Sequence, residues 1–136
     1  MGWPLLHDAD YGKGHLYVRV IPDNFADLYA LPEAALDQIR RIATQGLDVR
    51  MDGPTEVSLF LYDNDTLIVE SFRDEAVQVR LVGPGELKGL EDLETGEVLA
   101  GGTVPERRGW FRSPDAGRTV IEVAVKPHSY RAFRRR

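Results

Sequence analysis

Thr55 to Val82 reads TEVSLFLYDNDTLIVESFRDEAVQVRLV, and this stretch decides the fold. Three segments rich in β-branched and aromatic residues are separated by Asp63-Asn64-Asp65 and by Arg73-Asp74-Glu75. Apolar segments of this length between short polar turns are strands. Asp and Asn favour the turn because their side chains hydrogen-bond their own backbone. The first two segments therefore form a hairpin. The nearly continuous apolar half of the first, Leu59 to Tyr62, predicts burial on both faces. The third alternates, with Val77, Val79 and Leu81 on one face, and stops at Gly83-Pro84-Gly85.

The same grammar continues towards the C-terminus. Strands are expected over residues 87–93 and at Val98-Leu99, with a Glu94-Thr95-Gly96-Glu97 turn between them. Further strands are expected at Arg108 to Arg112, Thr119 to Val125 and Tyr130 to Phe133. The facing of Thr119 to Val125 stays ambiguous, because Val123, Ala124 and Val125 are all apolar. On the N-terminal side Leu47 to Met51 alternates, and a strand at His15 to Ile21 ends at Pro22. Residues 1–14 carry turn signals and no period.

One helix is expected, over residues 32–45. Ala35, Leu36, Ile39, Ile42 and Ala43 form one apolar stripe, Pro32 suits the first turn and Gly46 the stop. Phe25, Tyr17 and Tyr29 are expected to pack between this helix and the first strand. After residue 46 no crossover helix separates the strands, so a parallel sheet is excluded. The fold class is mainly β: an antiparallel β-sandwich of about eight or nine short strands with one N-terminal helix. The domains divide as a lead segment over residues 1–46 and a β-sandwich over residues 47–136.

Composition narrows the chemistry. The chain has 136 residues, 17 basic and 22 acidic, for a net charge of −5, which argues against nucleic acid as a partner. No apolar run is long enough to span a bilayer, so no membrane partner is expected. The start Met1-Gly2-Trp3-Pro4-Leu5-Leu6 lacks the pattern of a signal peptide, which implies the cytoplasm if that start is natural. With no cysteine, disulfides, thiolate zinc sites and thiol nucleophiles are excluded. His7, His15 and His128 are scattered. Neither a phosphate-binding glycine loop nor a Gly-x-Ser-x-Gly elbow occurs, and no cofactor is expected.

The order of several segments resembles the C-terminal all-β domain of multidomain glycoside hydrolases. The carriers are Thr66 to Glu75, Val77 to Leu81, Leu90 to Leu99 with its Asp92-Leu93 pair before Thr95-Gly96-Glu97, and the closing Val125 to Phe133. Together they span about residues 55–134. Ser71 departs from the pattern, where an Asn is usual before the Phe. Tyr11-Gly12-Lys13-Gly14-His15 is similar to a segment late in glutamine-amidotransferase-like domains of some glycosidases, so residues 1–45 read as the end of a preceding domain or a linker.

The resemblance implies a non-catalytic accessory domain that packs on the preceding catalytic domain and contacts oligosaccharide. An independent carbohydrate-binding module and a small stand-alone enzyme with a carboxylate site are the alternatives. Sugar rings stack on exposed aromatics, and Trp110 with Arg108 and Arg112 is the candidate carbohydrate site. Trp3 is a candidate interface residue. No catalytic residue is assigned: Asp63 with Asp65, and the group Glu91, Asp92, Glu94 and Glu97, read as solvated turns rather than a catalytic pair. Asp63 and Asp65 also form a weak candidate for calcium, without the glycine and distal glutamate of an EF-hand. The Arg134-Arg135-Arg136 tail reads as a solvated end.

Overall fold

The computed structural model describes residues 6–105 and 113–136. The fold class expected from the sequence, mainly β, is the one observed: the described residues form three antiparallel sheets and one α-helix. The strands are β1 (Leu6–Tyr11), β2 (Gly14–Arg19), β3 (Arg50–Asp52), β4 (Val57–Leu61), β5 (Thr66–Ser71) and β6 (Val77–Gly83). They continue as β7 (Gly89–Asp92), β8 (Val98–Ala100), β9 (Gly102–Thr103), β10 (Thr119–Val125) and β11 (Ser129–Arg135). The helix α1 spans Glu33–Ala43.

The sandwich has a four-stranded sheet in the order β3-β6-β10-β9 and a five-stranded sheet in the order β4-β5-β11-β7-β8. Period-2 patterning supplies the core between them. Val79, Leu81, Ile121, Val123 and Val125 point in from the four-stranded sheet, and Val57, Leu67, Val69, Leu90 and Phe133 from the five-stranded one. The facing of β10 is thereby settled: Thr119, Ile121, Val123 and Val125 are buried, while Glu122 and Ala124 face water. The β4–β5 hairpin forms with Leu61 opposite Leu67, and Asp65 turns it at a φ of 62°. At Gly101 the chain crosses from β8 in one sheet to β9 in the other, and a Cβ there would overlap the Thr119 side chain.

Four expectations need correction. β4 is not buried on both faces: it is an edge strand, and Phe60 on its outer face is 43% exposed. Residues 6–11 are a strand rather than a loop, paired with β2 through a two-residue turn at Gly12-Lys13, where Gly12 takes a φ of 62°. Pro32 is the residue before the helix, with an extended ψ of 141°, so α1 begins one residue later than expected. Phe25 and Tyr29 do not fill the gap between helix and first strand. They lie on and just after a 3-10 turn (Phe25–Leu28) capped by Asn24, meet edge to face at 6.5 Å, and stay exposed.

The helix is tied to the sandwich by polar contacts more than by its stripe, none of which is fully buried. The Arg40 guanidinium donates to the carbonyls of Gly53 and Pro54 (2.8 Å) on the β3–β4 connection and of Val57 (3.4 Å) at the start of β4. Asp37 accepts from the Gly53 amide at 2.9 Å. Burial lowers the Arg40 pKa, an effect that the Asp37 charge and hydrogen bond offset only in part.

Candidate binding surfaces

The strand expected at Arg108 to Arg112, and with it the candidate site Trp110, Arg108 and Arg112, lies outside the described residues, as does Trp3. The chain on either side of that segment is clamped. The Val104 amide donates to the Arg118 carbonyl at 2.9 Å and the Gly117 amide to the Val104 carbonyl at 3.0 Å. Buried Asp115 accepts from Arg50 at 2.6 Å, and Arg50 also donates to Asp52 at 3.1 Å. Burial pushes the Arg50 pKa down, but the hydrogen bonds and charges of Asp52 and Asp115 outweigh it and leave the value above that of an ordinary arginine.

The acidic candidates separate. Asp63 and Asp65 sit on the exposed β4–β5 turn, where Asn64 Oδ1 accepts from the Thr66 amide at 3.3 Å and Asp65 pairs with Arg135 at 3.3 Å. Among the described residues no three His, Asp or Glu side chains gather as a metal would need. In the Arg134-Arg135-Arg136 tail Arg134 and Arg136 are exposed, Arg134 and Arg135 belong to β11, and Arg136 pairs with Glu91 at 2.5 Å. His128 meets Asp74 at 2.8 Å, while the Ser129 hydroxyl donates to the Lys126 carbonyl, so the two neighbours do not form a nucleophile–base pair.

The Glu91–Glu97 segment is not simply a solvated turn, because Asp92 is buried. One carboxylate oxygen accepts from the amides of Glu94 (2.9 Å) and Thr95 (3.0 Å) and so caps the β7–β8 turn. The other receives Arg131 Nε at 2.8 Å. Arg131 also reaches Glu97 at 3.0 Å and the Ala124 carbonyl at 3.3 Å, and lies 5.0 Å above the Phe133 ring. It thus links β11 to the β7–β8 turn and to β10. Burial raises the Asp92 pKa, but the amide of Thr95, the side chain of Arg131 and the amide of Glu94 together hold it below the ordinary value.

Around this lock the β5–β6, β7–β8 and β10–β11 turns converge on a groove of about 550 Å³. Glu94, Thr95, Glu97, Lys126, Ser129 and Tyr130 line it. Tyr130 also lines a shallow shelf on the outer face of the five-stranded sheet, with Phe60, Tyr62, Ile68 and Glu70. The register explains the shelf: Phe60 stands opposite Ile68, and Tyr130 opposite Glu70. The turn at Glu94 to Glu97 is legible in the sequence, but the burial of Asp92 is not, because its partner Arg131 lies 39 residues away on another strand.

The third surface is the lead. Among the described residues β1 and β2 pair only with each other. Tyr17 and Arg19 turn towards the helix side, Tyr17 reaching Gln45 at 3.5 Å. Leu16 and Val18 therefore point the other way, and with Val20, Ile21, Phe25 and Tyr29 they leave a run of large apolar side chains in water.

Residues 48–135 match a family model described as "probable glycosyl hydrolase, C-terminal domain". No curated protein and no solved structure gives a match. Among the described residues no helix is long and apolar enough to cross a membrane.

Proposed function

The chain belongs to the family of glycosyl hydrolase C-terminal domains, and on that premise we propose that it is a non-catalytic accessory domain that packs against the catalytic domain of the same enzyme. Residues 1–46 act as the lead that docks, and residues 47–136 as the sandwich that holds the lead in place.

The observation that carries this reading is the exposure of Leu16, Val18, Val20, Ile21, Phe25 and Tyr29 along one lead. A lone two-stranded hairpin is marginal in water. Several large apolar side chains left in water beside it mark an interface. Covering such surface stabilises the complex by about 25 cal/mol per Å². Arg40 and Asp37 tie the helix of the lead to the β3–β4 connection, so a docked lead positions the sandwich as well. The polar groups of the sandwich agree with a structural role: Asp92 holds a turn and a guanidinium, and Asp52 and Asp115 neutralise Arg50.

Val18→Asp and Ile21→Asp test the docking. In the isolated chain both sites are exposed, and each change is expected to alter stability by no more than about 0.5 kcal/mol. In the intact enzyme the same changes are expected to split a shared calorimetric transition into two and lower the midpoint of the catalytic domain. An intact enzyme that unfolds identically with and without both charges would contradict the proposal.

A further inference from the structure

We infer that the groove at the turn end of the sandwich is a subsite for a neutral oligosaccharide, with Tyr130 as its stacking side chain and Glu94, Glu97 and Lys126 as partners for the sugar hydroxyls. The inference rests on the glycoside hydrolase reading for the class of ligand, and on the groove itself for the place.

A volume of about 550 Å³ falls within the range of small-molecule sites, roughly 300–1,000 Å³. Its rim mixes one cationic donor, Lys126, with the carboxylate acceptors of Glu94 and Glu97 and the hydroxyls of Thr95 and Ser129. A sugar hydroxyl both donates and accepts, and charge-assisted hydrogen bonds of both senses hold adjacent hydroxyls well. Three carboxylates, Asp92, Glu94 and Glu97, face two cations, Lys126 and Arg131, so an anionic ligand is disfavoured.

The floor of the groove and Glu97 are fixed in advance. Asp92 fixes the β7–β8 turn through two amides and fixes Arg131 through its other oxygen, and Arg131 in turn holds Glu97. Groups already locked in place lose little entropy when a ligand arrives. Tyr130 is 64% exposed and belongs to both groove and shelf. A chain that leaves the groove past Tyr130 therefore runs onto Phe60 and Tyr62, whose faces suit the apolar C–H side of further sugar rings.

The test is a titration of the isotope-labelled full chain, followed by amide NMR, with cello-, malto-, xylo-, manno- and chito-oligosaccharides. At least one is expected to shift Glu94, Glu97, Lys126 and Tyr130 in a saturable way, with Tyr130→Ala and Lys126→Ala each weakening binding tenfold or more. Arg80→Ala on the far sheet is expected to leave binding unchanged. The inference is overturned if none of the sugars moves these amides up to about 10 mM, a concentration that detects even a 1 mM Kd. It is equally overturned if binding occurs elsewhere and ignores Tyr130→Ala. Failure here with split unfolding of the intact Val18→Asp enzyme leaves docking standing and removes only the subsite. Binding here with unchanged unfolding removes docking and leaves an independent sugar-binding module.

Discussion

The lead and the sandwich use similar residues to opposite ends. In β10 and β5 every second side chain disappears into a shared core, and Leu67, Val69, Ile121 and Val123 are essentially inaccessible. In β2 the same alternation leaves Leu16 and Val18 in water, because among the described residues no second sheet packs against the hairpin. The helix stands between the extremes, its stripe half-covered and its position set by Arg40 and Asp37. Patterning thus states which face wants burial. Whether the burial happens inside this chain depends on whether a partner surface is part of it.

The contrast can be broken at two strengths. The larger effect is expected at Phe133, which no solvent reaches and which five-stranded and four-stranded sheets both surround. Phe133→Ala is expected to destabilise the isolated chain by about 3–5 kcal/mol in chemical denaturation. A loss as small as that of a lead residue would erase the distinction between the regions.

A smaller effect is expected at Asp92. Asp92→Asn takes from the half-buried Arg131 the more buried of its two carboxylate partners, leaving Glu97, and is expected to lose about 2 kcal/mol at neutral pH. The pH dependence has a definite sign. The folded pKa of Asp92 lies below the ordinary 3.8, so its stabilisation is complete above that value and fades as pH falls through the lower folded one. The urea midpoints of wild type and Asp92→Asn should therefore differ at pH 7 and converge in the acid range below the ordinary value. A constant gap between them would show that the carboxylate charge is not what matters.

Much of the sandwich was legible in the sequence. Turn residues and period-2 runs placed the strands at 66–72, 76–82 and 119–125 close to β5, β6 and β10. What was not legible follows from the same physics. An apolar run such as Leu59 to Tyr62 reads alike in a central strand and in an edge strand whose outer face carries a shelf, and only sheet order separates them. The passage from β5 to β6 looks like a hairpin, yet those strands belong to different sheets. The β1–β2 hairpin carried its signal in Gly12-Lys13, outweighed by the turn-forming residues around it. For the groove, the limit is distance along the chain: Glu97 on the β7–β8 turn meets Arg131 on β11, 34 residues away. The aromatic expected to bind sugar, Trp110, lies outside the described residues, whereas Tyr130, read only as part of the last strand, stands at the groove.

Hydrogen–deuterium exchange of residues 6–29, followed in the isolated chain and in the intact glycoside hydrolase, tests the docking of the lead most directly. The expected result is fast exchange of the hairpin and of the segment from Val20 to Tyr29 in the isolated chain, and marked protection of the same amides in the intact enzyme, with β5, β10 and β11 protected in both. Equal exchange of the lead in the two proteins would contradict the claim that its apolar face is where this domain meets the rest of the enzyme.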